Sequence, residues 1–109
     1  NETRALLQSN KLAEVMNTST ARCWSSDTYN PVPGVIEGVP ASRDYAGGFG
    51  VSLMAKDLTL ALDAGQQVSA RLPLGSHAHQ LYGLLMEHDL GGKDFGVIYQ
   101  YLSKTLPKD

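Results

Sequence analysis

The sequence predicts an all-α domain, on three observations. Four segments carry apolar residues at the three-to-four-residue spacing of a helix face. No segment shows a convincing strand alternation. No internal repeat interrupts the series.

The first helix is expected over residues 3 to 17, with Ala5, Leu12 and Met16 on one face and Leu6 and Ala13 beside them. Asn17-Thr18-Ser19 ends it, and the chain enters it almost directly, as a piece of a longer protein does. Residues 18 to 46 have no sustained period and hold Pro31, Pro33, Pro40, Gly34 and Gly38. "NPVPG" is stiff, because each proline fixes its own φ and biases its predecessor to extended geometry. An irregular stretch this long is usually functional when it is ordered. Trp24, Tyr29 and Tyr45 argue for order.

A second helix is expected from about Phe49 to Val68, with Phe49, Leu53, Lys56 and Leu60 sharing a face widened by Leu58, Ala61 and Leu62. A third runs from about Pro73, a residue suited to a first turn, to His88. Leu74, Ala78, Leu81 and Leu85 point inward from it, Ser76, Gln80, Gly83 and Glu87 point outward, and Gly91-Gly92 breaks it. A fourth covers about Asp94 to Ser103, with Phe95, Ile98 and Leu102 inward.

At 109 residues the chain suits one small domain, 1–109. Charged residues are only 18%, which points to apolar surface covered by a partner or another domain. The net charge is −2 with no basic stripe, which excludes binding to a phosphate backbone. No apolar run has the length to span a bilayer, and no signal-peptide pattern opens the chain. The lone Cys23 excludes an internal disulfide framework and fits a reducing compartment.

Several motifs invite chemistry. "GFGVSL" approaches the dinucleotide fingerprint, but Leu53 stands at the third glycine and no strand precedes it. "KDFG" contains a kinase-like triplet without the rest of a kinase, so Asp94 reads as a first-turn residue favoured by the helix dipole. Cys23 could act as a nucleophile with His77, His79 or His88, yet no local signature joins them. His77 and His79, two apart, do not share a helix face, so no metal is expected, and His77 and His88 read as partly buried packing. Trp24 and Tyr29 are equally readable as core or as a ligand wall. Lys56 and Asp57 point about 100° apart and are not expected to pair. Either the lysine snorkels and the aspartate is solvated, or Lys56 faces a cleft together with Phe49.

"ARCWSSDTYNPVPGVIEGVPAS", "YAGGFGVSLMAKDLTLALD" and "LPLGSHAHQLY" together resemble the C-terminal domain of 3-hydroxyisobutyrate dehydrogenases. These form a branch of the β-hydroxyacid dehydrogenases and are relatives of 6-phosphogluconate dehydrogenase. "WSSDTYNPVPGV" points to that branch rather than to glyoxylate or tartronate semialdehyde reductases. The resemblance implies a helical domain that closes an active-site cleft over an N-terminal Rossmann domain holding NAD, and that makes oligomer contacts. It implies that Lys56 contacts NAD and Phe49 lies against the nicotinamide. Asp57 supports the active site, and Trp24 and Tyr29 line the pocket of a small 3-hydroxy acid. The family's glycine fingerprint, its substrate-carboxylate loop and its catalytic lysine belong upstream of Asn1, so no catalytic residue is expected in this chain. The implied reaction is reversible hydride transfer from 3-hydroxyisobutyrate to NAD, giving methylmalonate semialdehyde in valine catabolism. It would occur in the mitochondrial matrix of a eukaryote or the cytoplasm of a bacterium, with the isolated chain inactive. The rival readings are a non-catalytic helical interaction module and a small cysteine hydrolase using Cys23.

Overall fold

The helix-spaced segments do form helices. The computed structural model describes the backbone of residues 2–105 and the side chains of residues 4–104. Helix α1 spans Glu2–Asn17, α2 Trp24–Asp27, α3 Val51–Gln67, α4 Pro73–Glu87 and α5 Ile98–Thr105. Tight 3-10 turns occupy Pro40–Arg43 and Phe95–Val97. Among the described residues the one β element is an isolated bridge between Gly50 and Asp94. The expected fourth helix therefore begins as a 3-10 turn, and the irregular segment hides one short helix.

Helices α3 and α4 form the central hairpin, with Thr59 Oγ1 lying 2.8 Å from His79 Nε2 across it. Both helices end alike. At α3 the Ala70 amide donates to the Gly65 carbonyl (2.9 Å) and Ser69 to Gln66 (3.1 Å), with Ser69 at φ 58°. At α4 Leu90 donates to Leu85 (3.0 Å) and Asp89 to Met86 (3.2 Å), with Asp89 at φ 60°. These are Schellman closures with a left-handed residue just past the helix. So α4 ends at Glu87, next to the expected His88, and its closure at Asp89 comes before the Gly91-Gly92 pair.

The core lies where this hairpin meets the 40–45 segment and the start of α5. Tyr45, Val51, Leu85 and Val97 are fully buried, and Tyr82 and Ala41 nearly so. Met54, Ala55, Leu58 and Ile98 pack against them. Burying these side chains supplies the main driving force. The irregular segment thus contributes core through Tyr45.

The predicted stripes are only half covered. Leu58, Leu81 and Leu85 face inward as expected, but Leu12, Met16, Leu53, Leu60 and Leu102 are exposed and Leu74 is 84% exposed. Helix α3 buries the adjoining face, through Val51, Met54, Ala55, Leu58 and Leu62. Helix α1 packs mainly on α2. His77 and His88 are exposed rather than partly buried. The His88 ring still stands 5.4 Å from that of Tyr101.

Candidate functional site

The irregular segment and the entry to α3 meet in a cluster of four rings. Trp24 stacks on Tyr29 (centroids 4.6 Å apart, 13° between planes), and Tyr29 stacks on Phe95 (5.5 Å, 7°). Phe49 meets Phe95 edge-on at 6.1 Å. Offset and edge-to-face arrangements are the favoured geometries of aromatic pairs. Tyr29, Phe49 and Phe95 are half-buried, and Trp24 is 55% exposed. Trp24 and Tyr29 are thus not fully buried core: their rings form a wall with one open end, whereas Tyr45 of the same segment is buried.

Beside the wall lies a mostly apolar cavity of about 240 Å³, lined by Ser25, Tyr29, Pro31, Tyr82, Phe95 and Gly96 among others. Wider cavities at the α3–α4 turn (about 390 Å³) and between α1 and the irregular segment (about 680 Å³) hold none of the candidate residues.

Asp94 holds this cluster together, and it is only 1% exposed. Its Oδ1 accepts from the Tyr29 hydroxyl at 2.6 Å and from the Phe49 amide at 2.9 Å. Its Oδ2 accepts from the Gly96 amide at 2.9 Å. A buried carboxylate needs such donors, and charge-assisted bonds are the strong ones. Burial, followed by the hydrogen bond to Asp94 and its charge, pushes the Tyr29 hydroxyl up to about 12, while Arg43 and the Phe49 amide act in the opposite direction. Sequence reasoning saw Asp94 only as a first-turn residue. It does cap the 3-10 turn, but its larger connections cross 65 and 45 residues.

Lys56 and Asp57 sit in the second turn of α3, with side chains 61% and 53% exposed. Contrary to expectation they pair, with Nζ 3.4 Å from Asp57 Oδ1. The four-carbon stem spans the angle that adjacency imposes. An exposed pair of this kind contributes little stability. Neither charge is buried, so neither needs a desolvated partner. Phe49 precedes α3, so heptad spacing does not carry its ring over Lys56. No hydrogen bond, ion pair or ring contact among the described residues joins the two. The structure thus groups Trp24, Tyr29 and Phe49, and leaves Lys56 with Asp57 as a separate exposed pair.

The glycine-rich entry to α3 is no anion cradle. The Phe49 amide is taken by Asp94, Val51 donates to the Lys93 carbonyl (2.8 Å), and Ser52 donates to that of Gly91 (3.0 Å). Cys23 is exposed just before α2, with Sγ 3.4 Å from Ser25 Oγ. His79 is engaged by Thr59 and His88 lies tilted against Tyr101, and no hydrogen bond joins Cys23 to either. Among the described residues no cluster of three His, Cys, Asp or Glu could hold a metal ion. No described helix is long and apolar enough to cross a membrane.

Fold and site define a helical domain with a half-open aromatic wall around a buried carboxylate and, apart from it, an exposed lysine–aspartate pair. The chain belongs to the family described as NAD-binding of NADP-dependent 3-hydroxyisobutyrate dehydrogenase, whose profile matches residues 2–102. It is 57% identical over 95 residues to a probable mitochondrial 3-hydroxyisobutyrate dehydrogenase of Dictyostelium discoideum, covering 87% of this chain and 30% of that protein. It is 50% identical over 104 residues to the mitochondrial enzyme of Mus musculus, covering 95% and 31%. The structure of Mycobacterium tuberculosis 3-hydroxyisobutyrate dehydrogenase with L-serine matches at a TM-score of 0.79 and 39% identity, covering 85% of this chain and 32% of that one. The chain spans about 30% of the length of the curated relatives it matches.

Proposed function

We propose that this chain is the substrate-side domain of an NAD-dependent 3-hydroxyisobutyrate dehydrogenase, an oxidoreductase of valine catabolism. Residues 1–109 then form one helical unit that closes a cleft over an N-terminal Rossmann domain. The observation that carries this reading is the open-ended wall of Trp24, Tyr29 and Phe49 around Asp94, in a chain of this family.

The residues fit a nicotinamide cofactor and a small acid. Phe49 offers a ring and Lys56 an exposed ammonium on the cofactor side. Asp57 sits against the ammonium and limits its excursion. Trp24 and Tyr29 line the substrate pocket. The adjoining cavity of about 240 Å³ lies below the usual pocket range of about 300–1,000 Å³, as suits a small branched acid. L-serine, present in the mycobacterial structure, is itself a 3-hydroxy acid, with an amino group where 3-hydroxyisobutyrate has a methyl.

A nicotinamide cofactor held beside Phe49 and Lys56 would supply the hydride acceptor for the carbon bearing the 3-hydroxyl, and the hydride donor in the reverse direction. Tyr29 is no proton shuttle here, because its hydroxyl already donates to Asp94 and resists ionisation. In this reading the proton passes to the lysine that the family resemblance puts upstream. On that reading the isolated chain is expected to produce no NADH from 3-hydroxyisobutyrate. Exposed apolar residues on α1, among them Leu7, Leu12 and Val15, suit contacts with the Rossmann domain and with a second subunit. The mitochondrial names of the eukaryotic relatives support the matrix as the location in a eukaryote, with the cytoplasm in a bacterium.

Lys56→Ala in the full-length protein is expected to raise the KM for NAD about tenfold, the equivalent of about 1.4 kcal/mol. An unchanged KM in steady-state assays would favour a non-catalytic interaction module instead.

A further inference from the structure

We propose that Asp94 is a positioning residue of this site, holding the Tyr29 hydroxyl and the Phe49 amide inward so that both residues meet a substrate with their rings alone. The proposal rests on the dehydrogenase reading above and adds a residue that the family resemblance did not single out.

Three phenols, the buried Tyr45 and Tyr82 and the half-buried Tyr29, are satisfied in two different ways. Tyr45 donates to the Pro31 carbonyl at 2.7 Å and Tyr82 to the Phe95 carbonyl at 3.0 Å. Backbone acceptors thus satisfy two of them without any charge. Only Tyr29 is given a carboxylate. A buried charge is a costly way to satisfy one hydroxyl, unless it also organises something else. Here the same oxygen takes the Phe49 amide, so one atom fixes two ring-bearing residues from distant segments.

The space around the carboxylate is tight as well. A Cβ on Gly48 would collide with Asp94 Oδ1 and lie 2.6 Å from both the Tyr29 hydroxyl and Pro40 Cγ. A Cβ on Gly96 would lie 2.9 Å from Asp94 Oδ2. Two glycines therefore stand directly against the carboxylate, and the Tyr29 hydroxyl is turned to it rather than offered to a ligand. What remains of Tyr29 on the pocket side is its ring, stacked between Trp24 and Phe95. The wall then recognises the hydrocarbon part of a small hydroxy acid and leaves polar recognition to groups elsewhere.

Kinetics of the full-length dehydrogenase test this. Asp94→Asn keeps the shape but replaces one acceptor oxygen by a donor, and is expected to raise the KM for 3-hydroxyisobutyrate about tenfold with kcat within about threefold. Tyr29→Phe is expected to raise it about threefold, and the double variant to be no worse than Asp94→Asn alone, because the two act as one unit. A purely structural role would lower the active fraction, hence kcat, without moving KM. In the 109-residue chain, phenolate absorbance gives an independent reading. Asp94 raises all three phenols but hydrogen-bonds only Tyr29, so Asp94→Asn should move Tyr29 furthest to lower pH, and that largest movement should be lost in a Tyr29→Phe background. Unchanged KM in both single variants, with Lys56→Ala still raising the KM for NAD, overturns the positioning role and spares the dehydrogenase reading. If Lys56→Ala has no effect, that reading fails, and the phenol titration alone then decides the Asp94 clamp. An unmoved titration overturns the clamp. If Asp94→Asn does not fold, Tyr29→Phe, which loses a single oxygen, carries the kinetic test, and an unchanged KM overturns the proposal.

Discussion

Gly48 has φ +67° and no room for a side chain. Its substitution therefore carries two penalties, left-handed backbone strain of about 1–2 kcal/mol and a collision with the Asp94 carboxylate. Gly48→Ala is expected to lower stability by about 2–4 kcal/mol in all, read as a fall in the urea midpoint together with loss of near-ultraviolet dichroism from the stacked rings. This glycine stands in the stretch that resembles a dinucleotide fingerprint, yet its service is to a carboxylate of its own domain. Lys56 and Asp57 teach the complementary lesson. Charges among apolar letters suggested burial, but their apolar neighbours Leu53 and Leu60 face outward with them. A buried-charge problem does not arise on an exposed face.

At the scale of elements, the helices were legible because periodicity is a local property of the chain. Their ends and their covered faces were less so. Ser69 and Asp89 close α3 and α4 in the left-handed region, a place where glycine is the usual signal. Periodicity also defines the width of a stripe and leaves open which edge of it is covered. That explains why Leu74 and Leu60 are exposed although they share stripes with Leu85 and Leu58. Asp94 left no local trace, since its partners Tyr29 and Phe49 are 65 and 45 residues away. The Schellman closure makes a prediction of its own. Ser69→Gly relieves the left-handed strain at the cost of some unfolded-chain entropy. The net gain should be about 0.5 kcal/mol, seen as a rise in Tm of about 3 °C, while the same change at a right-handed site within α3 should destabilise.

Across the whole molecule, three phenols respond together to pH. Tyr29, Tyr45 and Tyr82 are each pushed up to about 12, chiefly by burial and in each case with a contribution from Asp94. A group whose folded pKa is raised holds its proton more tightly when folded. The stability it contributes is complete below its ordinary value near 10 and is lost as pH climbs from there through 12. The chain is therefore expected to lose stability steeply between pH 10 and 12, with the urea midpoint falling and phenolate absorbance rising in the same transition. Tyr82→Phe should make the fall shallower, since one of the three protons is no longer released.

The Asp94 clamp also bears on the order of assembly. Closing a chain loop costs entropy that grows with the logarithm of its length. Joining Tyr29 to Asp94 directly encloses 65 residues. Once Phe49 has been drawn to the same carboxylate, as the α3–α4 hairpin forms, only the 20 residues from Tyr29 to Phe49 remain to be closed. The difference is about 1 kcal/mol in favour of that sequence of events. In that order Tyr29 joins Asp94 after Phe49, so the loop half of the wall, Trp24 and Tyr29, closes over a half that the hairpin has already set.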